Sequence, residues 1–493
     1  MTTKDTTYDA IVVGAGPGGA PCAALLAKDG VKTLLIDKND RPGGKAMSLS
    51  RRGFTYELFP ICGVPQLDTP FDAVLKALGM EAELELVRPD PCGCLLYRAP
   101  SSGEYKPFLW PGGRLPDVSV VASWLDLKPE ESEELGRFLM EAVLTTPEQI
   151  EELEAGGLSF DDFVSRYSVP KPFYSVMAVL MNLALGLPME LADGAEGVKL
   201  LGDMLTRSVM CYPKGGYGRF AEVCAEAVKR NGGEVRLKTR VERIIVEDGQ
   251  VRGVDTSAGA FRAPIVISNV GIQPTVLKLV GEEHFDKAYV NYVKDLVVGL
   301  GGIGARYFLS KPVLEYPMYF SCSDDLYLNL DRCLRQQTQV PEEIMIFAVV
   351  PAVCDPSLAP PGKQCFTTLT FCSPDIERKD LELWWNKIDD TVAKIWPEVP
   401  QHIEKKEHFH THEISSLFRD HVLSGQGGEC IGLAQVVGQC GRGKPSVKAP
   451  LRGLFYVGCD AGGYGCATQQ AADSAINVAR TVLQYHRMHL ALR

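Results

Sequence analysis

Residues 9–19 read Asp-Ala-Ile-Val-Val-Gly-Ala-Gly-Pro-Gly-Gly, and residues 32–37 read Lys-Thr-Leu-Leu-Ile-Asp. The first five of these are short, β-rich and apolar at every inner position, as a parallel strand buried on both faces must be. A glycine turn follows without a break. Residues 20–28 are alanine-rich and helical in composition, and Gly30 closes them. Residues 32–36 make a second apolar strand that ends on Asp37. Strand, glycine turn, helix, strand and acid stand in the order an adenine dinucleotide site requires.

Each residue type answers a physical demand. Gly14 permits the tight turn, Gly16 lets backbone approach a pyrophosphate, and Gly19 lets the helix pack closely on the strand. The free N–H groups and positive dipole end of the helix face the phosphates. Asp37 lies 18 residues after Gly19, near the usual spacing of about 20 for an acid that accepts from ribose hydroxyls. Gly14, Ala15, Gly16, Pro17, Gly18, Gly19, Asp37 and Lys38 are therefore the first candidate cofactor residues.

The rest of the 493 residues bounds the setting. With 45% hydrophobic and 23% charged residues, and a mean hydropathy of -0.02, the chain has the make-up of a soluble globular protein. A net charge of -11 leaves no strongly basic footprint for nucleic acid. The opening MTTKDTTYDA lacks a basic-then-apolar export pattern, so a cytoplasmic location is expected. Fifteen cysteines contain no C-x-x-C pair; Cys22, Cys224 and Cys372 sit among apolar neighbours and read as small core residues. Residues 173–187 are the longest greasy stretch, too short and interrupted to cross a bilayer. They read as a core helix or cavity wall, with a helix dipping into a membrane surface, and so peripheral membrane contact, as the alternative.

Further along, Arg41-Pro-Gly-Gly-Lys45 places adjacent glycines beside a cation, a second spot for phosphate or flavin at Gly44 and Lys45. Residues 212–218 form a glycine turn, residues 220–231 an amphipathic helix, and residues 234–247 a strand paired with 250–255 across the Asp248-Gly249 hairpin signal. Residues 263–269 are another apolar strand. Residues 79–204 read as helical and mixed, and residues 273–425 as mixed strands and helices. A second G-x-G-x-x-G, residues 299–304, has only seven residues before Pro312, too few for a crossover helix, and reads as a glycine-rich strand bend. His408, His410 and His412 alternate as on one face of a strand; no metal site is expected from them. Residues 453–458 form a buried strand, followed by Asp460, a glycine turn and a helix over 467–488 whose N-terminus faces whatever the turn holds.

Taken together, GAGPGG with Asp37, GGK followed by RRGFTYE, the stretch YPKGGYGRFAEVCAEAVKRNGGEVRLKTRVERIIVEDGQVRGV and the terminal KPSVKAPLRGLFYVGCDAGGYG resemble one family. It is the FAD-dependent phytoene desaturase-like branch of the amine oxidase superfamily, with carotenoid desaturases, carotenoid isomerases and retinol saturases. The resemblance implies an α/β fold: a Rossmann-like FAD-binding domain assembled from residues 1–75, 205–290 and 425–493. A mixed α+β substrate domain would be built from residues 76–204 and 291–424. It implies non-covalent FAD and a hydrophobic small-molecule substrate, with no assigned electron partner. It puts Val241 at adenine through its backbone, Asp460 at the ribityl-pyrophosphate region and Gly465 near the ring, with Gly458 as a further cofactor residue. No catalytic acid or base is assigned. Three departures stand out: Glu57-Leu-Phe where the family usually has Asp-x-Gly, Lys444-Pro445 where it usually has Arg-Pro, and no proline in the terminal glycine turn.

Overall fold

The strand Ala10–Val13 is buried at all four positions, and its side chains divide by parity. Ala10 and Val12 pack with alanines of the helix Gly19–Lys28 and with Val223 of the helix Arg219–Arg230. Ile11 and Val13 pack the other way, against Val241, Ile244 and Val254. The alternation is the period-2 geometry of a strand covered on both sides. Four more strands lie parallel to it, in the order Leu454–Tyr456, Ile265–Ser268, Ala10–Val13, Thr33–Ile36, Glu234–Arg236. The chain leaves the central strand toward Thr33–Ile36 and later returns on its other side through Ile265–Ser268. A crevice therefore opens at the carboxyl ends of these strands, where ligands bind in open α/β sheets. The computed structural model describes residues 7–59, 61, 69–100, 102–111, 117–206, 212–336 and 339–491.

One face of this sheet carries the helices Gly19–Lys28, Arg219–Arg230 and Ala467–Ala491. The other carries an antiparallel sheet of Val241–Glu247, Gln250–Thr256 and Gly259–Arg262. The single strand expected over 234–247 is thus two strands in two sheets. Lys238 takes a positive φ of 52° between them, and the break wraps Asp37: Lys238 N–H donates to Asn39 O at 2.8 Å and Thr239 N–H to Asp37 O at 2.9 Å.

A seven-stranded mixed sheet stands beyond the crevice, ordered Ile403–Phe409, Gly301–Leu309, Gln364–Cys372, Phe347–Val349, Met318–Cys322, Gly93–Arg98, Tyr105–Trp110. Its outer face packs Tyr307, Phe366 and Ala348 against Trp384, Ile388 and Val392 of the helix Leu381–Ile395. Its inner face presents Met318, Phe320, Phe347, Leu369 and Phe371 to the crevice.

Residues 301–304 of the second glycine motif belong to this sheet rather than to a second nucleotide turn. Gly301–Leu309 is a strand buried throughout, and a Cβ on Gly302 would sit 2.6 Å from both Cys430 Sγ and Leu369 Cδ1. Glycine there admits the segment that brings Cys430 to the cavity. The histidines do not share a strand face. Ile403–Phe409 ends before His410, which caps the helix Thr411–Leu417 by accepting from His412 N–H on Nδ1 at 3.2 Å. Among the described residues no three His, Cys, Asp or Glu side chains gather as a metal site.

Residues 173–185 fall in the helix Lys171–Leu185, ended by left-handed Gly186 and mostly buried inside the protein. Leu180, Leu183 and Ala184 of this helix line the crevice, as the cavity-wall reading expects. Among the described residues no helix is long and apolar enough to cross a membrane. Gly302→Val is expected to lower stability by about 1–3 kcal/mol through overpacking, read as an earlier urea midpoint with an unchanged slope; an unaltered midpoint would refute this tight contact.

Candidate functional site

The crevice is one continuous cavity of about 2180 Å³ of atom-free space, its mouth included. One arm runs along the parallel sheet and the other end opens against the seven-stranded sheet. Gly14, Gly16, Pro17, Gly18, Asp37, Lys38, Gly44, Lys45, Val241, Gly458 and Asp460 all line it. Residues expected together from five separate stretches of chain do come together.

The glycine turn works by close approach. A Cβ at Gly16 would lie 2.8 Å from Asn269 Nδ2, so only glycine leaves the backbone bare there. Asn269 ends the strand path of Ile265–Ser268 and lies against Gly14, Gly16, Gly18 and Gly458 alike. Three expected residues stand behind the wall. Ala15 N–H donates to Asp37 Oδ2 at 2.7 Å. A Cβ on Gly19 would fall 1.9 Å from Gly14 O, which is the helix-on-strand packing its motif position implies. Gly465 O accepts from Gln435 Nε2 at 3.2 Å.

Asp37 accepts from Asn39 N–H on its other oxygen at 2.8 Å. Burial pushes its carboxyl up, against the pull of those two amides. Each oxygen keeps a lone pair for a hydroxyl donor. Lys45 is set deep: its Nζ donates to Glu429 O at 2.5 Å and Ile431 O at 3.1 Å. Burial pushes the ammonium below the usual lysine range, partly offset by Glu429. Two carbonyls use two of its three N–H groups, leaving the third for the cavity.

Asp460 is buried and held on three sides. Ile272 N–H donates to Oδ2 at 2.9 Å, Leu433 N–H to Oδ1 at 3.1 Å, and Arg419 Nη1 to both at 3.2 and 3.3 Å. Burial pushes its carboxyl up, but Arg419 and the amides win and hold it below the usual range. Arg419 also donates to Gln273 Oε1 at 3.2 Å and stands 3.5 Å from the fully buried Glu429. Neither Asn269 nor Arg419 carries a sequence motif. Only the paths of strand and loop bring them here.

The far end of the cavity is apolar: Leu180, Leu183, Trp110, Phe320, Phe347 and Phe371. In the strand Met318–Cys322, Met318 and Phe320 face in, whereas the Tyr319 ring turns away onto Trp396, 5.3 Å between centroids. Cys430, Cys459 and Cys466 also line the cavity. Burial pushes Cys430 up to about 12 and Cys459 to about 11, so both stay protonated thiols at neutral pH. Cys466 Sγ donates to Ala184 O at 2.8 Å. Glu57, at the departed position, is buried beneath the site; it accepts from the Tyr212 hydroxyl and from Tyr217 N–H and so ties the strand Phe54–Glu57 to the 212–218 turn. Burial pushes its carboxyl up.

A family described as "Flavin containing amine oxidoreductase" matches residues 21–483. The chain belongs to that family. It is 25% identical over 391 residues to a lycopene-forming phytoene desaturase of Pseudescherichia vulneris, covering 73% of this chain and 75% of that one. It is 26% identical over 415 residues to the chloroplastic prolycopene isomerase 2 of an Oncidium hybrid cultivar, covering 74% of this chain but only 64% of the isomerase, less than two thirds of its length. An oxidoreductase structure from Methanosarcina mazei shares the fold, with a TM-score of 0.71 at 18% identity over 97% of this chain and all of that one. The protein is an FAD-dependent oxidoreductase of that family, and the curated relatives it is similar to are phytoene desaturases and prolycopene isomerases. The cavity fits that cofactor chemically. A bare glycine turn, a helix N-terminus and a buried acid lie along one arm, and an apolar chamber opens beyond them.

Gly16→Val is expected to yield colourless protein that takes up no flavin on reconstitution. Asp37→Ala, which removes the acceptor of two amides, should weaken FAD binding by about 1.5–3 kcal/mol, roughly ten- to a hundredfold. Full flavin occupancy in Gly16→Val would move the site elsewhere.

Proposed function

We propose that the enzyme acts on C–C bonds of a hydrophobic, isoprenoid substrate, in the manner of a desaturase or saturase. In this reading FAD lies along the arm, contacted by the residues named above, and the substrate occupies the apolar chamber. Residues 1–75, 205–290 and 425–493 then form the cofactor half, and 76–204 and 291–424 the chamber half. One observation carries the proposal. Every aspartate that lines the cavity, Asp37, Asp420 and Asp460, sits at the cofactor arm, and the described chamber wall holds no carboxylate. A cationic amine would find no counter-charge there, and burying it unpaired is costly. A polyene loses nothing by leaving water; roughly 2.5 kcal/mol is gained per 100 Å² of its surface covered.

Flavin, when bound, supplies hydride exchange at N5. The chain's own part is positioning and charge balance. Leu180, Leu183 and Ala184 on one side and Phe320, Phe347 and Phe371 on the other exclude water and fix the polyene flat between helix and sheet. The helix Ala467–Ala491 starts at the cavity, where Ala467, Thr468 and Ala471 line the wall. Its positive end stabilises negative charge gained there by about 0.3–2 kcal/mol. Lys45 adds a formal positive charge between arm and chamber.

The similarity to both a desaturase and an isomerase leaves net oxidation and redox-neutral isomerisation as outcomes to separate. Anaerobic holoenzyme titrated with linear isoprenoid polyenes, with primary amines and with NAD(P)H gives the test. Bleaching of the yellow flavin by a polyene with gain of a double bond, or polyene reduction by the pre-reduced enzyme, is expected. Double-bond rearrangement without net bleaching would assign isomerisation. Bleaching by an amine with aldehyde release would overturn the proposal.

A further inference from the structure

Residues 416–420 belong to none of the stretches that spell the cofactor site, yet Leu417, Phe418, Arg419 and Asp420 line the same cavity as Asp37 and Val241. They leave the end of the helix Thr411–Leu417 and cross the arm between two walls. On one wall, Lys38 Nζ donates to Ser416 O at 3.2 Å and Asn39 Nδ2 to Leu417 O at 3.1 Å. Lys38 and Asn39 directly follow Asp37. Arg240 stands beside them, since Lys238 N–H donates to Asn39 O and Thr239 N–H to Asp37 O; the other wall is Asp460 and Gln273, which hold Arg419.

The two charged side chains of this crossing point opposite ways. Arg419 turns inward and is 6–7% exposed with its partner Asp460; its other contacts, Gln273 and Glu429, are also buried. Asp420 turns toward the mouth and collects three cations: Lys38 at 3.3 Å, Arg240 at 3.2 Å and Lys278 at 2.6 Å. The side chains of Arg240 and Lys278 are 39% and 49% exposed. Ion pairs of that kind are individually weak and screened by salt, whereas the inner array is shielded. One end of the crossing is fixed and the other can be released.

We infer that residues 416–420 are a strap across the adenosine arm of the cofactor site, anchored by Arg419 and latched by Asp420. FAD retention then depends on a segment supplied by the chamber half of the chain. Lys278 does not line the cavity, so it acts on the cofactor only through the latch. The strap must lift at its Asp420 end for FAD to enter or leave, and the Arg419 end keeps its register meanwhile. The inference rests on FAD lying along Asp37 and Val241.

The experiment measures FAD release from the holoenzyme, by the rise of flavin fluorescence after dilution, at low and high NaCl. Asp420→Asn is expected to speed release at low salt by about tenfold, the worth of several weak ion pairs together. Lys278→Met should speed it by a smaller factor. Wild-type release should accelerate with added NaCl, and Asp420→Asn release should barely respond. Apoprotein melting temperatures should match wild type, since a merely structural ion-pair cluster would lower them while leaving release alone. Wild-type release rates in Asp420→Asn, or equal destabilisation of apo and holo forms, would overturn the strap. Gly16→Val separates the two failures. If it retains FAD, the cofactor placement is wrong; if it loses FAD while Asp420→Asn releases normally, only the strap is wrong.

Discussion

Everything at the site depends on backbone meeting backbone where side chains are excluded. The turn after Ala10–Val13, the path leaving Ile265–Ser268 and the turn after Leu454–Tyr456 converge at the carboxyl ends of adjacent strands. A Cβ on Gly18 would lie 2.9 Å from Gly458 Cα, so the crossing tolerates no substituent. This crowding leaves the start of the helix Gly19–Lys28 uncovered toward the cavity, its N-cap position carrying no capping side chain. Bare amides at a helix N-terminus attract an anion. Asp37 then braces the turn from the side through Ala15, so one carboxylate both shapes the loop and faces the arm.

The inner strands of the parallel sheet are legible because they are uninterrupted apolar runs bounded by glycine turns, and both signals are local; the edge strand Glu234–Arg236 is not apolar. The bracing of Asp37 was not legible. The sequence reading gives that acid a ligand role from its spacing; the structure adds two backbone donors, and a kink at Lys238 that splits one expected strand so that Thr239 can reach Asp37 O. The second glycine motif shows the same limit from the other side. Its spacing copies a nucleotide turn, but Gly301, Gly302 and Gly304 serve close packing inside a sheet, a need that residues far along the chain, such as Thr368, Leu369, Ser373 and Cys430, make visible.

The histidines were misread for a different reason. Alternation of like residues over 408–412 satisfies the strand period, yet His410 is a helix cap, and capping overrides a period carried by only three residues. His408 instead stacks on Trp385, with centroids 5.0 Å apart, and meets Asp389 at 3.2 Å on the outer face of the seven-stranded sheet. Asn269, Arg419 and Asp420 had no signal to find. Each is an ordinary polar residue in sequence, and its position at the site follows from where strands end and loops cross.

The cavity's two ends obey different rules, and the boundary between them explains its charge inventory. Along the arm, cations and carboxylates are interleaved: Lys38 and Arg240 with Asp420, Arg419 with Asp460 and Glu429. Charges of both signs cancel locally, and the buried ones, Arg419 with Asp460 and Glu429, are each costly to leave alone. Beyond Lys45 the inventory stops, and the wall becomes aromatic and aliphatic with protonated thiols. Water that entered the chamber would find few partners there, so the chamber favours an oily occupant. Lys45 stands at the junction because the carbonyls of Glu429 and Ile431 hold it there, and the Glu429 carboxylate offsets part of its burial. A single fixed cation between a polar arm and a dry chamber is felt strongly by any charge that develops beside it, since the low local dielectric weakens its field far less than water would.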